Sequence, residues 1–287
     1  MGKKTIIQDL IRDKRTQLPT LSVVTSNIIK LADDDNASVH ALAEFILQDQ
    51  AIANKVLKLA NSAYYGVVKT IASIPHAITI IGFNDVTSLA IGMGVFSAFD
   101  LKKVNTLLKM EELWLHSLGC ATAAKELATL LKIDDREQIF LNGLLHDMGK
   151  IIFALHFPDD FAIALEESKK NDCPLHYKEM EIFSENHATI AGQLMKHWNF
   201  PESLILPVQF HHSSAKCPQD FTIKAMIIEV ADFLCHKTAI GSSGNPGVAD
   251  VKIAVKNLGL LKDDLKRIID FLERQRPKME EYLQLLA

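Results

Sequence analysis

Helical periodicity along almost the whole chain is the feature that most constrains the fold. Apolar residues recur at helical spacing, as Ile52, Val56 and Leu59 do, and no stretch shows the sustained alternation of apolar and polar residues that a strand requires. The pattern predicts an all-α protein. Helices are expected over 38–47, where Ser38 is a suitable N-cap, and over 52–60, 73–81, 84–98 and 110–131.

Charge and hydropathy place the chain among ordinary globular proteins. Charged residues make up 23% and hydrophobic residues 48% of the 287 positions, and the net charge is −4. A negative net charge gives no general attraction to phosphate backbones, so nucleic acid is not an expected partner. The most hydrophobic stretch, 77–99, is broken by Gly82, Asn84 and Asp85, so no membrane span is expected. The polar N-terminus, 1–5, predicts a cytoplasmic protein.

The four cysteines are too widely spaced for a disulfide framework or a thiolate zinc site, and no CxxC pair occurs. We expect reduced and mostly buried thiols. They are Cys120, Cys173, Cys217 and Cys235.

Composition shifts suggest where the chain divides. The polar stretch 100–106 is the candidate boundary between two lobes, and the glycine- and serine-rich stretch 241–247 is the candidate flexible loop. The predicted organisation is a lead segment, an N-terminal helical lobe, a histidine-rich lobe, and a loop with C-terminal helices. Their bounds are 1–16, 17–105, 106–240 and 241–287.

Histidines are distributed unevenly, because nine of the eleven lie at or after His116. Glu112 and His116 are four residues apart on a predicted helix, which stacks a carboxylate and an imidazole on one face. A single inward-facing histidine is more often a hydrogen-bonded core residue than a metal ligand. This pair therefore indicates a site only in combination with others.

The segment 142–150 carries a stronger signal, because an adjacent histidine and aspartate and then a lysine fall in what reads as a strongly apolar helix. Burial of Asp147 without compensation would be costly, and a divalent cation bound by His146 and Asp147 would offset that cost. Lys150, one turn later, would neutralise a substrate phosphate or form a salt bridge with Asp147.

Three further positions extend the series. His187 opens a predicted helix on its apolar side, whereas His197 falls off that face. The pair His211-His212 ends an apolar stretch, and Asp232 lies in an apolar helix where a carboxylate needs a cation or a hydrogen-bond donor.

The ordered series resembles the HD superfamily of metal-dependent phosphohydrolases, whose motif is a histidine, a His-Asp doublet and a distant aspartate. The additional histidines, and Glu112 one turn before His116, look more like the HD-GYP branch, which hydrolyses cyclic dinucleotides at two- or three-metal centres. The stretch 213–218 departs from that branch, since it lacks the Gly-Tyr-Pro segment.

The N-terminal lobe resembles the HDOD domain. The segments that carry this resemblance are 18–19, 47–49, 55–64 with Leu-Ala-Asn-Ser-Ala-Tyr, 74–82 and 198–201. The resemblance covers about 17–240 and implies an HD-like multi-helix bundle that acts as a regulatory module in bacterial signalling.

The resemblance implies one to three divalent ions of iron, manganese, zinc or nickel. The candidate ligands are Glu112, His116, His146, Asp147, His187, His211, His212 and Asp232. Three hypotheses remain at this point. The first is a signalling module with a retained metal site and a protein partner, and the second is a phosphohydrolase acting on a phosphorylated small molecule or nucleotide, with Asp147 and Lys150 in catalysis. The third has no metal.

Overall fold

The computed structural model describes residues 18–32, 37–99, 107–247 and 249–284, together with positions 6, 10 and 34. Within this part of the chain the regular structure is helical and contains no strand, which confirms the predicted all-α class. The α-helices are α1 Val23–Ala32, α2 Val39–Leu47, α3 Gln50–Ala60, α4 Ile74–Ile81, α5 Phe83–Ser97, α6 Met110–Leu130, α7 Arg136–Leu145, α8 Gly149–His156, α9 Pro158–Lys170, α10 Leu175–Phe183, α11 His187–His197, α12 Glu202–Gln209, α13 Gln219–Lys237, α14 Lys252–Asn257 and α15 Lys262–Gln284, with a 3₁₀ turn at Ser214–Lys216.

Side-chain caps set the starts of the early helices. Ser38 Oγ accepts a hydrogen bond from the Ala41 amide, as predicted for the N-cap of α2. Helix α3 begins two residues earlier than expected, because Asp49 Oδ1 accepts from the amides of Ala51 and Ile52 and so replaces the missing intrahelical bonds. Ser73 caps α4 in the same way.

Asn61 holds the chain segment that follows α3. Its Nδ2 donates to the carbonyls of Leu57 and Ile71, and its Oδ1 accepts from the Ile71 amide at 2.7 Å. The loop from Asn61 to Ile71 is thereby closed against the end of α3. Tyr64 in this loop lies 3.1 Å from Thr122 Oγ1 on α6, so the loop links the N-terminal helices to the histidine-rich part of the chain.

Helix α6 lies at the centre of the histidine-rich part, and it packs against α7, α13 and α15. The approach to α7 is close, since a Cβ at Gly143 would lie 2.7 Å from Ala121 Cα. The C-terminal helix α15 covers α6 with one apolar stripe, which includes the buried Ile268, Leu272 and Met279. Helix α15 therefore packs against the rest of the protein through this stripe.

The predicted division of the chain is only partly visible in this structure. Buried apolar side chains of the N-terminal helices and of the histidine-rich helices belong to one continuous cluster. The predicted boundary, 100–106, lies outside the described residues, as does the lead segment 1–16 except for positions 6 and 10. The lobe boundary therefore stays a prediction.

The stretch 241–247 is not helical, as expected, but it is packed against α6. Gly241 adopts a φ of 61°, and a Cβ there would lie 2.4 Å from the His116 amide nitrogen. The Ser242 amide donates to the Glu112 carbonyl at 3.0 Å. This contact holds the chain across the first turns of α6.

All four cysteines are free thiols, and Cys120, Cys217 and Cys235 are buried. None of the described helices has the length and apolar character needed to cross a bilayer.

Candidate metal centre

The His-Asp doublet lies in a tight turn and not inside one helix, which corrects the sequence-based expectation. Helix α7 ends at Leu145 and α8 begins at Gly149. Hydrogen bonds from residue i to residue i−3, as in a 3₁₀-helix, tighten the turn. The Met148 amide donates to the Leu145 carbonyl, and the Lys150 amide donates to the Asp147 carbonyl. Within this turn His146 Nε2 lies 3.4 Å from Asp147 Oδ2, so both side chains reach the same place.

Four further segments bring the other predicted residues to the same place. His116 lies on α6, His187 is the first residue of α11, His211 and His212 follow α12, and Asp232 lies on α13. The His116, His146, His187 and His211 rings are buried. The structure thus assembles seven of the eight predicted ligands around Asp147.

The two carboxylates lie between the imidazoles. Asp232 Oδ1 is 3.0 Å from His116 Nε2 and 3.8 Å from His146 Nε2. Asp147 Oδ2 is 3.6 Å from His116 Nε2 and 3.4 Å from His146 Nε2, while its other oxygen, Oδ1, is 3.2 Å from His187 Nε2. Asp147 therefore faces different histidines with its two oxygens.

The Nδ1 atoms of His146 and His211, which are the outer ring nitrogens, contact backbone carbonyls, and these contacts set the tautomer of each ring. His146 Nδ1 lies 2.7 Å from the Gly143 carbonyl, and His211 Nδ1 lies 2.7 Å from the Val208 carbonyl. A carbonyl only accepts, so each Nδ1 carries the proton and, in the neutral ring, Nε2 presents a lone pair. The Nε2 atoms of His116, His146 and His211 are buried and make no hydrogen bond to any described residue.

Three groups of side chains place ligand atoms within 4.8 Å of one another. They are His187–His211–His212, His116–His146–Asp147 and His146–His211–Asp232. The first two groups share no residue, and the third links them. Imidazole nitrogen with carboxylate oxygen is a donor set that suits divalent iron, manganese, zinc or nickel. The buried, unpartnered Nε2 atoms fit such an ion, because a cation would satisfy them where the described protein offers no donor.

Electrostatics favour ionised carboxylates in the centre. Burial alone would raise the pKa of Asp147, but the charges of His146 and Lys150 hold it well below the usual range. Asp232 behaves in the same way: burial alone would raise its pKa, but the neighbouring His116 and His146 rings outweigh burial and hold the pKa well below the usual range. Both aspartates are thus charged at neutral pH.

The histidines divide into two classes. Burial and neighbouring imidazoles hold the pKa values of His211 and His212 well below 6.5, so these rings are neutral and ready to bind a metal. Burial lowers the pKa of His146, but the charge of Asp147 outweighs it and raises the pKa to about 10. Any cation that binds His146 Nε2 has to displace that proton.

Lys150 adopts the salt bridge that the sequence left open as an alternative. Its Nζ lies 2.7 Å from Asp147 Oδ2, and the side chain is only 2% exposed. The ammonium group compensates Asp147 inside the protein. This geometry gives no support to a direct contact between Lys150 and a substrate phosphate.

The structure does not bring Glu112 to the centre. Its side chain is exposed, and it belongs to none of the three ligand groups. The stretch at Gly241 and Ser242 packs on the α6 backbone from Glu112 to His116. The i, i+4 spacing thus correctly predicted the inward-facing histidine but not its carboxylate neighbour. His197 is exposed, as expected from its position.

Two residues of α10 that the sequence analysis missed complete the surroundings. Glu179 is fully buried, and its Oε2 accepts from His187 Nδ1 at 2.6 Å and from the His187 amide at 2.9 Å. The His176 ring stacks on the His212 ring at a centroid distance of 4.0 Å. Their burial could have been predicted from the sequence, because both residues lie in the apolar stripe of α10 that contains Leu175 and Phe183.

A narrow cleft of about 10 Å³, room for about one water molecule, opens beside the centre. It is lined by His212 and by Glu229, Asp232 and His236 of α13. The Asp232 side chain is 15% exposed, compared with 2% for Asp147. Asp232 is therefore the more accessible of the two carboxylates, whereas Asp147 is enclosed.

Comparison with known proteins places these observations in context. The family model for the HDOD domain matches residues 18–214. A curated relative, an uncharacterised protein of Treponema pallidum, is 25% identical over 224 residues, which cover 77% of this chain and 42% of that protein. The chain thus spans less than half the length of this relative.

Solved structures share the fold. An HDOD domain protein of unknown function from Geobacter sulfurreducens has a TM-score of 0.77 and 22% identity, with 94% of both chains covered. A Marinobacter aquaeolei protein provisionally assigned to signal transduction has a TM-score of 0.82 and 20% identity, and the match covers 100% of this chain and 62% of that one. A Shewanella amazonensis protein provisionally assigned as a phosphohydrolase has a TM-score of 0.76 and 21% identity, with coverage of 94% and 95%.

Proposed function

Because the chain belongs to the HDOD domain family, which the match over residues 18–214 shows, we propose that it is a regulatory signalling protein whose centre binds divalent transition-metal ions. The proposed ligands are His116, His146, Asp147, His187, His211, His212 and Asp232. The ions are iron, manganese, zinc or nickel, and the proposed output is contact with a signalling protein.

One observation carries the metal proposal. Buried Nε2 atoms of His116, His146 and His211 converge without a hydrogen-bond partner, while the outer nitrogens of two of these rings are held by backbone carbonyls. A ligating histidine usually donates its other N–H to such an acceptor, which fixes the ring orientation and the tautomer. A merely structural cluster has no need of buried, unpartnered acceptors, because each one costs free energy.

Enclosure of the centre supports regulation as the main role. Asp147 and Lys150 are each only 2% exposed on their side chains, and the cleft beside them is small. The chain after His212 lacks the Gly-Tyr-Pro segment of the cyclic-dinucleotide hydrolases that it resembles. A bulky phosphodiester therefore has no open path to Asp147.

Helix α6 offers a packed connection between the centre and the rest of the protein. It carries His116, and six residues later it carries Thr122, which contacts Tyr64 of the loop after α3. Thr122 also lies 3.8 Å from Met279 Sδ of α15. A shift of α6 on metal binding would be transmitted to both regions, which supports a regulatory output.

A second candidate function, phosphohydrolysis, is favoured by the position of Asp147. Its Oδ2 faces the His116–His146 side and its Oδ1 faces His187, so it lies between two ligand groups that share no residue. Two divalent ions, when bound, supply charge stabilisation to the attacking and leaving oxygens of phosphoryl transfer. In this function Asp147 would orient both groups, and Lys150 would keep Asp147 ionised.

Elemental analysis of the untagged protein tests the metal proposal. We expect near-stoichiometric iron, manganese, zinc or nickel in the wild type and loss of that metal in the His146→Ala, Asp147→Ala double variant. The exposed His197→Ala variant is the matched control and should keep its metal. A wild type that carries no metal and takes none up after incubation with these ions would contradict the proposal.

Hydrolysis assays separate the two functions. The metal-loaded protein would be tested with bis(p-nitrophenyl) phosphate and with cyclic dinucleotides. Metal binding without turnover supports the regulatory function, whereas turnover that is lost in the double variant supports the hydrolase.

A further inference from the structure

Glu179 makes an unusual double contact with His187. The same oxygen, Oε2, accepts from the ring Nδ1 at 2.6 Å and from the backbone amide at 2.9 Å. Neither side chain is exposed to solvent. The carboxylate thus fixes the ring of His187 at the first residue of α11 from two directions.

We propose that Glu179 is a positioning residue that sets the metal affinity of the His187–His211–His212 group without controlling the His116–His146–Asp147 group. This inference rests on the proposed metal binding and adds that the two metal positions differ in affinity. The centre would consist of two unequal positions, and a residue outside the ligand set would control one of them.

The inequality follows from the partners of the outer ring nitrogens. His146 and His211 are held by the neutral carbonyls of Gly143 and Val208, three residues earlier in each case. His187 is held by a carboxylate eight residues earlier, on a different helix. A carboxylate raises the basicity of the imidazole more than a carbonyl does, and it fixes Nε2 as the ligand atom.

The contacts of His187 also explain why Glu179 should affect only the His187–His211–His212 group. Of the three ligand groups, His187 belongs only to the group with His211 and His212. Asp147 touches His187 through Oδ1, but its Oδ2 is held independently by Lys150 at 2.7 Å. Release of the His187 ring therefore leaves the first group in place.

The Glu179→Gln variant is the sharpest test. Glutamine keeps the size of the side chain and an oxygen that can accept the two N–H groups. The charge is removed, and an amide nitrogen takes the place of Oε1, which has no hydrogen-bond partner among the described residues. Isothermal titration of the metal-free protein with Mn²⁺, and with Co²⁺ monitored by visible absorption, measures the two positions separately. We expect two binding steps in the wild type, and in the variant one step within threefold of wild type and one step weakened by about 10–100-fold.

Glu185→Gln is the matched control. Glu185 lies six residues further along the chain. Its Oε1 accepts from Gln193 Nε2 at 2.6 Å and its Oε2 accepts from the Ile6 amide at 2.8 Å, and neither partner is a histidine ring. Its binding steps should equal those of the wild type. Thermal unfolding of the metal-free proteins shows whether either variant has lost the fold, and the less severe Glu179→Asp variant should recover part of the weakened step.

The outcomes distinguish this inference from the function on which it rests. A wild type that binds no metal overturns the proposed function. A wild type with a single step, or a Glu179→Gln variant in which both steps or neither step is weakened, overturns the positioning role alone. A variant with a lower melting temperature but unchanged metal binding also overturns it, because Glu179 would then be structural.

Discussion

Lys150 Nζ and Asp147 Oδ2 form an ion pair of 2.7 Å in which each side chain is only 2% exposed. Such a pair contributes little net stability relative to an apolar pair, but loss of one partner leaves an uncompensated charge in the interior. The lysine also occupies the oxygen that faces His116 and His146. A metal ion bound as proposed would therefore compensate the same carboxylate as Lys150.

Lys150→Met should destabilise the metal-free protein and strengthen metal binding. We expect the free energy of unfolding in urea with EDTA to fall by about 3–5 kcal/mol. Mn²⁺ should restore much of that loss, because the cation replaces the missing positive charge. The exposed pair of Lys170 and Glu167 gives the control, since Lys170→Met should change stability by less than about 1 kcal/mol. Weaker Mn²⁺ binding in Lys150→Met would contradict this account.

Metal affinity should rise with pH, because His146 has a pKa of about 10 in the folded protein against an ordinary value of 6.5. A raised histidine pKa contributes stability that is fully present below pH 6.5 and is lost as the pH rises to about 10. The metal-free protein should thus lose this contribution over the interval in which Mn²⁺ affinity increases. Titrations in buffers of different ionisation enthalpy count the protons released, and a pH-independent affinity without proton release would rule the mechanism out.

Gly149→Ala should weaken the His187 group. A Cβ at Gly149 would lie 2.0 Å from the His187 carbonyl oxygen and 3.0 Å from the Ala191 amide nitrogen, both of them backbone atoms that cannot move aside singly. We expect α11 to shift, stability to fall by about 1–3 kcal/mol, and metal affinity to fall with it. Ala154→Gly on the same helix should cost about 1 kcal/mol without a change in Mn²⁺ binding. Normal binding by Gly149→Ala would show that the close approach is not needed.

Asn61→Ala tests the loop after α3 separately from the centre. The change removes three hydrogen bonds and leaves the amide of the buried Ile71 without its acceptor. We expect a loss of about 1–3 kcal/mol in the free energy of unfolding, with metal binding unchanged. The exposed Asn54→Ala serves for comparison and should stay within about 0.5 kcal/mol of wild type. Equal stability of the two variants would contradict the role given to Asn61.

Sequence reasoning located most of the candidate centre because a charged residue within an apolar stretch can be recognised from the sequence. Asp147 and Asp232 each stand in apolar surroundings, where a carboxylate requires compensation. The doublet was correctly picked out but wrongly placed inside a helix, since composition does not distinguish a continuous helix from two helices joined by a tight turn.

Glu112 and Glu179 show where the pattern was insufficient. Glu112 lies one turn before His116, but it is exposed near the start of α6 whereas His116 is buried, and i, i+4 spacing alone does not show where along a helix burial begins. Glu179 was overlooked because it stands among charged and exposed residues such as Lys178 and Glu181. Only its partner His187, brought to it by the fold, distinguishes it from an ordinary surface glutamate.

The candidate ligands are spread along the chain, so the ribosome synthesises them at different times. His116 is translated first and Asp232 last, so at about 5–20 residues per second the set becomes available over roughly 6–23 s. An ion captured by the nascent polypeptide before Asp232 emerges would meet an incomplete donor set. If the chain binds metal as proposed, the complete donor set is available only after Asp232 has been translated.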